Sequence, residues 1–173
     1  LMAKSNRDRV SEVMDALKAG LAPFVVREYA RVYGSKLIDE INDALTSGVY
    51  GGLASTNADG AAREMDAQAC LNAIQRRWEQ VFKARLGKSE RSYVGELQDA
   101  RVAWAHQKPF TNDEAYRIVD TAMRLLEAVG APEQAQLPRD IAQDLLRLRF
   151  EAEQKQSGKP TRVNDAMAIP TMT

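Results

Sequence analysis

The sequence predicts an all-α protein, a helical bundle of about six or seven helices with no sheet. Three observations lead there. Apolar residues make up 45% of the 173 residues but aromatics only 6%, so Ala and Leu carry much of the potential core. That balance suits helices packed on helices better than a sandwich or barrel. Apolar side chains recur at three- and four-residue intervals over long runs, and glycines, prolines and capping residues fall between the runs.

Taken in order, Val10, Val13, Met14 and Leu17 mark a first helix over about residues 6–19, with Gly20 placed to end it. Pro23 suits the first turn of a second helix, which carries Phe24, Val25, Tyr29 and Val32 until Gly34. A third spans about 35–46 through Leu37, Ile38, Ile41 and Leu45. Residues 47–63 lack period and are rich in Gly, Ser and Asn, which reads as a loop. A fourth helix over about 64–86 presents Leu71, Ile74, Trp78, Val81, Phe82 and Leu86, and Gly87 stops it. Ser89 is placed to cap a fifth, carrying Tyr93, Val94, Leu97, Ala100 and Trp104 and ending near His106 ahead of Pro109. Thr111 and Glu114 form a capping box for a sixth, which Gly130 stops. A last helix is expected from near Pro138 to about 155. From Gln156 the chain turns polar. The domain division is thus a helical domain over 3–155 and a polar linker over 156–173, leading toward a further C-terminal region.

Composition narrows the function classes. Twenty-four basic and 24 acidic side chains cancel, so there is none of the overall basic excess common in nucleic-acid binders. A basic patch would have to be assembled by folding or by pairing two chains. The single cysteine, Cys70, excludes an internal disulfide and sits in a helical apolar pattern, where a small buried residue is the simplest reading. No run approaches a membrane span, and the start lacks a signal peptide's apolar core. Leu1 reads as a cloning remnant before a natural start at Met2, and a cytoplasmic protein without membrane contact is expected.

The chain has no Gly-rich phosphate loop and no Gly-x-Ser-x-Gly elbow. One Cys and one His do not build a common zinc site, so neither metal nor cofactor is expected. What remains is His106, the only histidine, five residues after Arg101. Five steps turn roughly 140° around a helix, so the two share a face only if the helix frays or tightens at Ala105-His106. An imidazole can accept and return a proton near neutral pH, and a guanidinium can grip a phosphate with two parallel hydrogen bonds. Together they suit metal-free RNA cleavage. On spacing alone, an Arg and a His five apart on a helix surface are more often simply solvated.

The wider string is more specific. Arg101-Val102-Ala103-Trp104-Ala105-His106 fits an Arg-x4-6-His signature, and it is flanked by Ser92-Tyr93-Val94-Gly95-Glu96-Leu97 and by Pro109-Phe110-Thr111-Asn112-Asp113-Glu114. With Ser5-Asn6-Arg7-Asp8-Arg9-Val10, Gly20-Leu21-Ala22-Pro23-Phe24-Val25 and Thr121-Ala122-Met123-Arg124-Leu125-Leu126, these segments resemble the SWT-type subgroup of HEPN domains over about residues 3–150. The resemblance implies a HEPN-like bundle that pairs as a homodimer and joins two Arg-x4-6-His elements in one cleft. It also implies metal-independent endoribonuclease chemistry leaving a 2′,3′-cyclic phosphate, with Arg101 and His106 as catalytic residues and RNA as substrate. Subgroup members often form the N-terminal part of larger bacterial proteins in defence settings, with a fused or partner ATPase or helicase-like region. In active members the residue after the arginine is often polar, commonly Asn; here it is Val102. That departure favours the alternative of a catalytically inactive dimerisation or docking module.

Neighbouring residues carry lesser expectations. Lys108 is a candidate to touch a phosphate and Trp104 to stack a base, against the readings of a solvated lysine and a core tryptophan. Asp99 and Glu96 are candidates to orient Arg101. Trp78 and Tyr93 read mainly as core, and Arg76-Arg77 as an ordinary polar face.

Overall fold

The structure is a computed structural model that describes residues 3–46 and 52–158. Its elements are α1 (Asn6–Tyr33), a 3₁₀ turn (Gly34–Lys36), α2 (Leu37–Thr46), α3 (Ala58–Glu64), α4 (Ala67–Arg76), a π-turn (Trp78–Phe82), α5 (Lys88–Ala105), α6 (Asn112–Ala128) and α7 (Pro132–Ser157). Among the described residues there are seven α-helices and no strand, which agrees with the all-α bundle expected. The expected polar linker lies mostly outside the described residues; Gln156 and Ser157 still belong to α7.

The long helix α1 is the scaffold. It touches every other α-helix, while α4, α5, α6 and α7 pack against one another in chain order. Its buried side chains, among them Leu17, Leu21 and Tyr29, meet Leu71 and Ile74 of α4, Leu97 of α5, and Leu125 and Leu126 of α6 in one apolar cluster. The Tyr29 hydroxyl donates to the Ala73 carbonyl at 2.7 Å and pins α1 to α4. Burial pushes this phenol well above its ordinary pKa. Cys70 is buried in the same core, and burial likewise raises its thiol.

Two helices were expected where α1 runs unbroken through Gly20 and Pro23. Pro23 is exposed, as is Ala19 four residues before it, the residue whose carbonyl a proline leaves without its helical N–H partner. Gly20 serves packing: a Cβ there would run into the Leu126 side chain and lie 3.2 Å from the Ala131 Cβ. The true stop is Gly34, at φ 57°.

The expected loop over 47–63 contains a short helix. Its residues 47–51 lie outside the described residues, but Asn57 caps α3 by accepting from the Gly60 amide at 2.8 Å. The Glu64 carboxylate accepts from the Ala54 and Ser55 amides and the Ser55 hydroxyl, and these hydrogen bonds hold its pKa below the usual carboxylate value. The expected fourth helix breaks at Arg77, which pairs with Asp43 and Glu40 of α2 while Arg76 donates to the Ala44 carbonyl at 2.7 Å. A π-turn follows, with Lys83 N–H bonded to the Trp78 carbonyl, and leaves Trp78, Val81 and Phe82 all buried. The buried Glu28 joins Arg31 and Arg85, each at 2.9 Å, and so ties α1 to the segment after this turn.

At α5, Gly87 rather than Ser89 occupies the N-cap. The Thr111–Glu114 capping box of α6 is present as read. Helix α7 begins six residues earlier than expected, with Pro132 in its first turn and Pro138 buried within it. Its last turns leave Leu146, Leu148 and Phe150 exposed, Phe150 to 60%.

Candidate functional site

Helix α5 buries Val94, Leu97 and Ala100, and this inward face decides where the candidate residues point. Arg101 flanks that face on the side of α1 and α4. Its side chain is 18% exposed, its Nη2 lies 4.0 Å from an Asp66 carboxylate oxygen, and its Cζ stands 5.0 Å from the centre of the Trp104 indole. Asp66 is also the N-cap of α4, accepting from the Ala69 amide at 2.9 Å. The carboxylate beside Arg101 is therefore held in place by a helix start.

Trp104, one turn on, is half-buried and fully engaged. Its Nε1 donates to Ser11 Oγ at 2.7 Å, and its carbonyl accepts from Arg7 Nη1 at 2.9 Å. The Arg7 Cζ sits 5.1 Å from the same indole. Cation–π contacts of this kind contribute about 0.5–2 kcal/mol each, and a cation is well placed at a helix C-terminus.

Helix α5 then ends by a defined turn. Lys108 N–H bonds to the Ala103 carbonyl at 3.0 Å and Gln107 N–H to the Trp104 carbonyl at 3.1 Å, the paired bonds of a Schellman turn. Such a turn needs a left-handed residue, supplied here by Gln107 at φ 58°. The same turn at the end of α6 uses Gly130 at φ 78°. Asn6 holds the next segment by donating to the Phe110 carbonyl at 2.9 Å and to Asn112 Oδ1 at 2.8 Å.

His106 is the C-cap of α5, with its side chain exposed on the solvent side of the helix. Val102, one turn below on the same side, is 48% exposed. Helix α5 stays regular through Ala105 and departs from helical geometry only at His106. Arg101 leans toward Asp66 and Trp104, and His106 stands at the tip.

The remaining candidates lie on the other flank, in a groove of about 280 Å³ between α5 and α6. Glu96, Asp99 and Lys108 line it over a floor that includes Phe110 and Ile118. Glu96 pairs with Arg117 of α6, so the carboxylate near Arg101 is Asp66 and not Glu96. Sequence reasoning missed Arg7, Ser11 and Asp66. Arg7 and Ser11 reach the site from the far end of the chain, and Asp66 reads locally as a helix cap. No spacing rule joins them to Trp104.

Among the described residues no three His, Cys, Asp or Glu side chains gather as a metal site, and no helix is long and apolar enough to cross a membrane. A family model described as Swt1-like HEPN matches residues 12–130. No curated protein and no solved structure matches the chain.

Proposed function

The chain belongs to the Swt1-like HEPN family, and from that premise we propose that it is a metal-independent endoribonuclease domain whose site is completed by a second copy. The observation that carries this reading is the exposed His106 at the tip of α5, beside an Arg101 held ready by Trp104 and Asp66. Within one chain the contacts of Arg101 are to Asp66 and Trp104. A two-fold pairing of α5 ends supplies two imidazoles and two guanidiniums to one cleft.

In that cleft one His106 imidazole takes the proton from an RNA 2′-hydroxyl. The oxygen attacks the adjacent phosphorus, the bond to the 5′-oxygen breaks, and the second imidazole, protonated, gives its proton to that leaving oxygen. The product is a 2′,3′-cyclic phosphate. Arg101 offsets the charge that builds on the equatorial phosphate oxygens. General acid–base catalysis is worth about 10²–10⁴-fold. His106→Ala is therefore expected to lose at least about 100-fold in cleavage of RNA in EDTA, and Arg101→Ala, which removes charge stabilisation, about 100-fold or more as well. Wild type that cleaves no faster than His106→Ala would overturn the reading.

A second reading is a non-catalytic dimerisation or docking module of a larger bacterial defence protein with an ATPase or helicase-like region. Val102 favours it, being an exposed apolar group one turn below His106, at a position that is often polar in active members of the family. The projecting Leu146 and Phe150 of α7 support a docking role. Light scattering that shows a dimer, together with no EDTA-resistant cleavage, selects this reading.

A further inference from the structure

Trp104 gathers two guanidinium groups onto one ring, from Arg101 on its own helix and from Arg7 in the first turn of α1. Among the described residues Arg7 makes no ion pair, and Arg101 makes one long pair, to Asp66. The hydrogen-bond partner of Arg7 is a carbonyl oxygen and not a carboxylate, and the carboxylate nearest Arg101 stands 4.0 Å away while also capping α4. Arginine has five N–H donors in a planar fork, and the bond to the Trp104 carbonyl occupies one nitrogen of Arg7. Both guanidinium carbons stand about 5 Å from one ring centre, so the two cations share one small region of the molecule. The planar forks suit phosphate oxygens in particular. Arg7 lies ahead of the matched residues 12–130, so the family match assigns it nothing.

We propose that Arg7 and Arg101, joined through Trp104, form one phosphodiester-binding site. Arg7 grips the phosphate next to the one that Arg101 holds, so that the strand is fixed at two points. The identity of the ligand as RNA rests on the nuclease reading above; the two-arginine anion site rests on the geometry.

The test is binding of a short fluorescein-labelled 2′-O-methyl oligoribonucleotide to the full chain over a series of salt concentrations. This probe lacks the attacking hydroxyl, so binding is read apart from cleavage. On a single strand each phosphate contact contributes about 0.7–1 unit to the slope of log affinity against log salt. Arg7→Gln is expected to reduce the slope by about one, as is Arg101→Gln, and Arg7→Lys to restore it by keeping the charge. Thermal melts of the same variants read the clamp on the helix end separately. A wild-type slope in Arg7→Gln, with only a lowered melting temperature, would overturn the proposal, and so would wild type that does not bind the probe. Parallel assays with ordinary RNA in EDTA separate the two ideas. Cleavage by wild type with an unchanged Arg7→Gln slope sinks the second arginine and leaves the nuclease reading standing. A reduced slope without cleavage supports the anion site and sinks the nuclease reading.

Discussion

Gln107 holds a left-handed conformation beside the candidate site, at a position where the matching turn of α6 uses Gly130. A Cβ in that region costs roughly 1–2 kcal/mol. Gln107→Gly is therefore expected to raise stability by about 1 kcal/mol, read by chemical denaturation. An unchanged or lowered midpoint would show that the Gln107 side chain repays its strain. Val102→Asn puts a polar group one turn below His106 in an exposed position. It is expected to change stability by less than about 0.5 kcal/mol and to raise RNA cleavage in EDTA; an unchanged rate would remove Val102 as the weak point. Arg101 and His106 stand out in the sequence because they lie within six residues of each other. The partners that set Arg101 and Trp104 in place do not, because Arg7, Ser11 and Asp66 are brought there only by the packing of α1 and α4.

Among the elements, α1 shows how packing overrides local breakers. Gly20 and Pro23 look like a stop and a start, yet the helix passes both, since Pro23 faces water and Gly20 admits Leu126. Alanine normally improves a helix interior by about 1 kcal/mol over glycine. Gly20→Ala is nonetheless expected to destabilise, because overpacking a buried contact costs about 1–3 kcal/mol. A raised melting temperature would contradict this account of the α1–α6 approach. The segment before α3 is held by Glu64, whose folded pKa is lowered by the Ala54 and Ser55 hydrogen bonds. A lowered carboxyl pKa contributes in full above the ordinary carboxylate range and is lost as pH falls through the lowered value. Below about pH 4, protection of the Ala54 and Ser55 amides from hydrogen exchange is expected to fall before the core responds. Protection that persists until global acid unfolding would show that Glu64 is not the latch. Capping chemistry was the most readable feature at this scale, as the Thr111–Glu114 box shows. The break at Arg77 was not readable, since it follows from ion pairs to α2.

For the whole molecule, zero net charge and local site chemistry are compatible. Arg7 and Arg101 meet at Trp104, while the opposite flank of α5 carries Glu96 and Asp99. A chain can therefore be neutral overall and still hold two guanidinium groups about one ring near a helix end. The central claim is that two such ends make one site, and this sets how activity depends on concentration. The measurement that tests it is the specific rate of RNA cleavage in EDTA across a dilution series, with dimer fraction followed by light scattering on the same samples. The account predicts a specific rate that rises with concentration and levels off as the dimer forms. A constant specific rate in a protein that stays monomeric throughout would contradict it.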